Sequence, residues 1–366
     1  MNQPLRVGVI GANPKTSWAK DAHIPAIRGL EGLELAAVAT SSRETAEAAG
    51  RAFDVARVYD DALALALAEG IDIVSVCVKV PHHRDLVLAA LAAGKHVFCE
   101  WPLGKDLAEA EELAAAARKT GVHVAIGLQA RFSTAARRAA ALLREGAIGR
   151  PLTARVFAST GGFGPELPSP YAYLNDVRTG ANLLTIMGGH TLDLVTAVLG
   201  GVASLNALTT TQFEQVKLVD KGETIPRTVP DHILALARAA NGCAVSVEVD
   251  GNRQEEAPFL FEIRGTKGTL SLKGGNSHGF QAGRLELLRD GEVLVKAAEE
   301  SPDLPTMAVN VAATYTALRD DIREGRAGEQ RVALDFDHAA RLTRLLTDLT
   351  AASKDGRRRE AQGWPG

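Results

Sequence analysis

At 366 residues, 46% of them hydrophobic and 23% charged, the chain has the length for two domains with real cores and the composition of an ordinary globular protein. A formal net charge of -3 excludes the basic footprint of a general nucleic-acid binder. Cys77, Cys99 and Cys243 show no metal-ligand spacing and suggest no disulfide framework, so no metal site is expected. No apolar run is long enough for a membrane, and the first strand starts too close to Met1 for a signal peptide; a cytoplasmic setting is the expectation.

The stretch from Leu5 to Pro25 organises the first half of the chain. Leu5, Val7, Val9 and Ile10 read as a short strand buried on both faces, and Gly11, Asn13 and Pro14 as a turn leading to a helix. Strand, glycine turn and helix together present backbone N–H groups to a phosphate. Of the G-x-G-x-x-G pattern only Gly11 is kept; Asn13 and Thr16 hold the other two positions. Asn tolerates a left-handed backbone, which keeps the turn possible. An ordinary strand-to-helix turn fits the same residues.

Further strands are predicted at Leu33–Thr40, Ile71–Val80, His96–Cys99 and Val122–Ile126. Helices are predicted between them at Glu44–Phe53, Arg84–Ala93 and Leu107–Thr120, the last two closed by Gly94 and Gly121. This alternation predicts a doubly wound parallel sheet with ligands beyond the carboxyl ends of its strands. The pattern changes after Gly127. A helix at Ala135–Glu145 and a strand at Leu152–Ala158 precede a Gly/Pro-rich loop through Pro170, and a helix surrounds His190. Strands at Ser204–Thr210, His232–Ala239, Ala244–Val249, Phe259–Arg264, Gly268–Leu272 and Arg284–Leu288 then run without helices between them, which predicts an α+β domain on a mostly antiparallel open sheet. Helices at Met307–Arg323 and Ala333–Ala351 and a frayed polar tail, KDGRRREAQGWPG, end the chain. The division expected is 1–129 and 130–366.

The second strand runs out into Thr40-Ser41-Ser42-Arg43, with no acidic residue to meet ribose hydroxyls. Small hydroxyls beside a guanidinium suit a 2′-phosphate, which favours NADP over NAD; a solvent-exposed helix start capped by Ser41 or Ser42 is the alternative. Lys79 closes an otherwise apolar strand at the crevice. Desolvated there it could take part in proton transfer, or it could snorkel to solvent or bind the nucleotide.

The opening VGVIG, AGKH before Glu100-x-Pro102, GLQARF (Gly127 to Phe132), EGAIG (Glu145 to Gly149), Gly189-His190-x-x-Asp193 and GTKGTL (Gly265 to Leu270) stand together in order. With them the chain resembles the Gfo/Idh/MocA family of NAD(P)-dependent oxidoreductases, which act mainly on sugars, inositols and related polyols. The stretched turn holding Trp18 before His23-x-Pro25, and Glu100-Trp101 in place of Glu-Lys, resemble the subgroup around the fungal galactose-regulon repressor, thought to sense the nucleotide without turnover. The resemblance implies a nucleotide pocket built from Gly11, Asn13, Thr16, Trp18, Ser41, Ser42, Arg43, Val80, Pro81, His83, Glu100, Trp101 and Arg131. It also implies that Trp101 stands where family enzymes use a proton-transferring Lys, and indole cannot do that work. Ile186 stands where many carry an Asp one turn before the His. His190 is kept, after Met187-Gly188-Gly189, where a structural histidine would gain little. His190, Lys79 and Asp193 are therefore the catalytic candidates, with Asp193 orienting His190 or capping its helix. Arg131, Tyr171, Tyr173, Asn175, Asp176 and Arg178, with His190, are the expected contacts to a carbohydrate-like substrate. The expected activity is a dehydrogenase, with a non-catalytic nucleotide sensor as the alternative. A homodimer or homotetramer is expected, with no nucleic-acid or membrane partner.

Overall fold

A computed structural model describes residues 3–252 and 258–361. Its contacts divide the chain into two units: residues up to Gln129 with Asp303–Ala340, and Ala130–Pro302 with Arg341 onward.

The first unit holds β1 (Leu5–Ile10), β2 (Leu33–Ala39), β3 (Val58–Tyr59), β4 (Ile73–Val76), β5 (His96–Cys99) and β6 (Val124–Ile126). They form one sheet in the order β3-β2-β1-β4-β5-β6, every neighbouring pair parallel. Val7, Val9, Val38, Ile73, Val74 and Phe98 are fully buried, as strands covered on both faces require. The order steps away from β1 in both directions, so the β1 and β4 ends flank the switch point where doubly wound sheets bind ligands. The connecting helices are α1 (Ile24–Arg28), α2 (Arg43–Ala52), α3 (Ala62–Ala66), α4 (His83–Ala92) and α5 (Leu107–Thr120). Asp106 caps the last of these through the Glu109 N–H, and Gly121 ends it at φ +71°.

Two expectations change here. The strand predicted to reach Val80 ends at Val76, where its partner β1 ends at Ile10 and turns away at Gly11, and a 3-10 turn follows at Val80–His82. Asp303–Ala340, expected in the second domain, packs with the first instead. The Thr306–Glu324 helix buries Tyr315 completely against Phe98, with ring centroids 4.6 Å apart.

The second unit begins with α6 (Thr134–Arg144). Its strands are β7 (Pro151–Ser159), β8 (Glu166–Leu167), β9 (Val202–Thr210), β10 (Gln215–Leu218), β11 (Glu223–Pro226), β12 (His232–Ala239), β13 (Ala244–Asp250), β14 (Pro258–Gly265), β15 (Thr269–Gly275), β16 (Glu286–Arg289), β17 (Glu292–Val295) and β18 (Arg359–Glu360). Nine of them form a sheet in the order β17-β16-β15-β14-β7-β13-β12-β9-β18, antiparallel except for β7 with β13. Burial alternates along β12 and β14, so one face is covered while the other keeps Leu208, Leu234 and Leu236 exposed. Helix α7 (Gly189–Leu199) is buried along nearly its whole length. The tail expected to be frayed is pinned instead: Arg359 pairs with Leu205 and Glu360 with Ser204. Its last residues, including Trp364, lie outside the described residues.

The family-like motifs at Glu145–Gly149 and Gly265–Leu270 are one structural joint. Thr266 N–H donates to the Arg150 carbonyl, Lys267 N–H to that of Ile148, and Arg150 N–H to Thr266 Oγ1. A Cβ on Gly265 would lie 2.1 Å from the Ile148 oxygen, so only glycine allows this approach.

Candidate functional site

Gly11 is the residue that makes the first turn. Its φ is +94°, and a Cβ there would sit 2.2 Å from the Cys77 carbonyl oxygen. The left-handed conformation that Asn13 could tolerate is not needed there, since Gly11 is the turn residue with positive φ. Asn13 instead accepts the Lys15 N–H through Oδ1 at 2.9 Å, which shapes the loop before a π-helical turn at Ala19–His23. Trp18 Nε1 is buried with no hydrogen-bond partner among the described residues, a donor that a ligand oxygen could take up. A cavity of about 650 Å³ opens beside the turn, lined by Gly11, Asn13, Thr40 and Ser41. The bare Gly11 turn and the cavity beside it fit a dinucleotide.

Other expected nucleotide contacts are placed differently. Ser42 caps α2 through the Thr45 N–H, and its hydroxyl bonds Thr45 Oγ1 at 2.8 Å. Arg43 lies on the exposed side of α2, its Nε 2.7 Å from Glu47, and this pairing holds its pKa above the ordinary arginine value. Neither Ser42 nor Arg43 lines the cavity. Thr16 and Pro81 are exposed, whereas Val80 is buried. Lys79 lies past the strand end and exposed, which removes the desolvation argument made for it. His83 is a buried clamp: its ring nitrogens lie 2.9 Å from the Pro102 and Val78 carbonyls. Burial pushes its pKa below the imidazole range, and the two carbonyls oppose that only in part.

Sequence reading missed a buried polar chain ending at Glu100. His23 Nε2 is 2.8 Å from Glu100 Oε1, His23 Nδ1 is 2.8 Å from the Tyr315 hydroxyl, and that hydroxyl is 2.6 Å from Ser75 Oγ. With Glu100 ionised, one direction satisfies every member: Ser75 donates to Tyr315, Tyr315 to His23 Nδ1, and His23 Nε2–H to the carboxylate. Burial, then the nearby Cys77 and Glu100, hold the Tyr315 hydroxyl well above its ordinary pKa despite the Ser75 bond. Gly127 leaves the room, since a Cβ there would meet Glu100 Oε1 at 2.8 Å. Trp101 follows, 6% exposed.

In the second unit His190, 5% exposed, sits in the first turn of α7 directly after a π-helical turn at Leu184–Gly188. Such turns recur at functional positions. Asp193 is 1% exposed and accepts from Arg131 Nη1 at 2.9 Å, so Arg131 is first of all its ion-pair partner. A second cavity, about 440 Å³, is lined by Phe163, Tyr171, Tyr173, Ile186, Met187 and His278 among others. Burial and then Tyr171 raise the Tyr173 hydroxyl above its ordinary pKa. The remaining expected substrate contacts do different work. Asn175 is buried and accepts from Arg227 Nε at 2.7 Å, while Asp176 and Arg178 form a surface pair at 2.6 Å. Arg227 itself is fully buried, bonded to Asp231 and to the Phe163 and Gly164 carbonyls, and so fixes the loop that borders this cavity.

A parallel sheet ordered 3-2-1-4-5-6, a glycine turn at its switch point and an open, mostly antiparallel sheet in the second unit define a two-domain dinucleotide-binding chain of the oxidoreductase type. Residues 5–128 match the family model described as "Oxidoreductase family, NAD-binding Rossmann fold", and 135–274 the one described as "Gal80p, C-terminal domain". The chain belongs to the Gfo/Idh/MocA family, next to its Gal80-like members. It is 34% identical to dehydrogenase aclE of Aspergillus oryzae over 75% of this chain and 78% of that protein. It is 30% identical to the galactose/lactose metabolism regulatory protein GAL80 of Saccharomyces cerevisiae over 74% of this chain and 67% of that protein. A super-repressor mutant of that regulator superposes with a TM-score of 0.86 at 25% identity, covering 98% of each chain. D-glucoside 3-dehydrogenase of Escherichia coli is 28% identical over 94% of this chain and 98% of that protein. Among the described residues no helix is long and apolar enough to cross a membrane, and no group of three or more His, Cys, Asp or Glu could hold a metal ion.

Proposed function

We propose that the chain is an NAD(P)-dependent dehydrogenase that takes a hydride from a CH–OH carbon of a carbohydrate-like molecule, or returns one to the corresponding carbonyl carbon. Its sugar-dehydrogenase relative and the aromatic cavity bearing Tyr171 and Tyr173 support the substrate class. The observation that carries the reading is His190, an ionisable ring kept after a π-helical turn and within a turn of the Arg131–Asp193 pair. The cofactor, when bound, supplies the hydride chemistry. His190 handles the alcohol proton, Asp193 orients the local structure through Arg131, and the exposed Lys79 contacts the nucleotide. The apolar patch at Leu208, Leu234 and Leu236 supports a homodimer or homotetramer.

A second reading, a nucleotide-binding sensor without turnover, rests on Trp101, which cannot replace a proton-carrying lysine. Sugars and polyols offered with NAD and NADP, read at the reduced-nicotinamide absorbance, separate the two. Turnover with any of them supports the dehydrogenase; nucleotide binding without turnover supports the sensor.

A further inference from the structure

The cavity beside Gly11 carries a charge pattern that the end of β2 lacks. Asp60 and Asp61, at the corner between β3 and α3, and Asp85 on α4 all line it. Gly11 and Asn13 mark its phosphate side, and Thr40 and Ser41 the side where a doubly wound fold places the adenosine ribose. We propose that this acidic wall makes the chain select the dinucleotide without a 2′-phosphate, NAD(H), over NADP(H), in place of the acidic residue missing after β2. The proposal rests on the cavity's being the nucleotide site.

The two arginines near the wall, Arg43 and Arg84, are each paired with a glutamate, and Lys79 stands at the phosphate side beside Val78. Arg43, the residue that would greet a 2′-phosphate, is drawn along α2 to Glu47 and is not part of the lining. Arg84 makes a two-nitrogen pair with Glu112, at 2.7 and 2.6 Å, and a third contact to Asp85 at 3.0 Å, while Asp61 accepts the Leu63 N–H and Asp60 lies near enough to Arg43 for the two charges to attract. His82 also lines the cavity and adds positive charge only when protonated. The hydroxyls at the end of β2 are turned to one another and to backbone: Thr40 Oγ1 lies 2.7 Å from Thr45 Oγ1 and 3.2 Å from the Ser42 carbonyl. A 2′-phosphate would bring about 1.5 to 2 negative charges to a wall that already carries carboxylates. A ribose 2′-hydroxyl would instead donate to one of them. Like charges at close range disfavour binding, by an amount that salt screens because Asp60, Asp61 and Asp85 are exposed, whereas a hydroxyl meets no such opposition.

The test is calorimetric titration of the full chain with NADH and with NADPH. NADH is expected to bind about tenfold or more tightly, with the gap narrowing as salt rises from about 0.05 to about 0.5 M. In the Asp60→Asn, Asp61→Asn double variant NADPH affinity should rise until the two nucleotides bind within about threefold of each other. Asn at 61 keeps a side-chain oxygen for the Leu63 N–H that starts α3, and circular dichroism checks that the fold is retained. Arg43→Ala should leave NADPH affinity unchanged. NADPH binding equal to or tighter than NADH, a ratio unmoved by the double variant, or NADPH affinity lost in Arg43→Ala would each overturn the proposal while leaving the dinucleotide reading in place. Failure of both nucleotides to bind would overturn both.

Discussion

Gly11 and Arg227 show how a single residue holds a candidate cavity in each unit. A side chain at Gly11 meets a backbone carbonyl and a φ of +94° at once, so neither a rotamer change nor a small shift relieves it. Gly11→Ala should lower stability by about 2–4 kcal/mol and abolish NADH binding, measured by denaturant melts and calorimetry. Arg227→Met removes a buried cation from Asp231, which keeps the Gln212 and Phe213 N–H groups, and takes away the donors to the Asn175, Phe163 and Gly164 oxygens, so a loss of about 3–5 kcal/mol is expected. If the melt of Arg227→Met matches wild type, the ion pair has been overvalued. At this scale the sequence was legible where backbone geometry forced a residue type, as at Gly11. It misled where position was inferred from strand length. Lys79 seemed to end a buried strand, but that strand stops at Val76 with the end of its partner β1 and leaves the lysine exposed. The Glu100–His23–Tyr315 chain was invisible because His23 and Tyr315 are 292 residues apart, although His23-x-Pro25 stands out as a motif.

Elements with a clean periodicity appeared nearly as read: β1, β5, β12 and α5 keep their expected bounds, because alternation or an apolar run identifies them without tertiary context. The short strands β3, β8, β10, β11, β17 and β18 were missed, since two to four residues carry too little pattern and are defined by their partners. Where β5 meets β6, His96 Nδ1 accepts the His123 N–H at 3.0 Å, a bond that needs a neutral imidazole. Burial and then the neighbouring His123 push the His96 pKa down to about 4. The unfolded chain therefore takes up this proton near pH 6.5 while the folded chain resists until about pH 4, so stability is full above pH 6.5 and falls between the two. His96→Asn, which can still accept the N–H, should flatten the melting temperature across that window. An unchanged pH slope would assign the acid sensitivity to other groups.

At the scale of the whole molecule, chain order suggested that everything after 129 belonged together, whereas Asp303–Ala340 returns to the first unit to bury Tyr315 there. The exposed leucines on the nine-stranded sheet predict self-association: light scattering should give a multiple of 38.6 kDa, and Leu236→Lys should shift it toward the single-chain mass. The relatives divide between dehydrogenases and a regulator, and the proposed function turns on whether His190 carries a proton in this chain. The measurement that tests the central claim most directly is reduced-nicotinamide turnover on the best substrate of a sugar and polyol panel, in wild type and His190→Ala, alongside NADH calorimetry on both. The dehydrogenase account predicts measurable turnover, a loss of about a hundredfold to ten-thousandfold in the variant, and NADH affinity retained. NADH binding with no turnover on any substrate, or turnover untouched by removing His190, would contradict it.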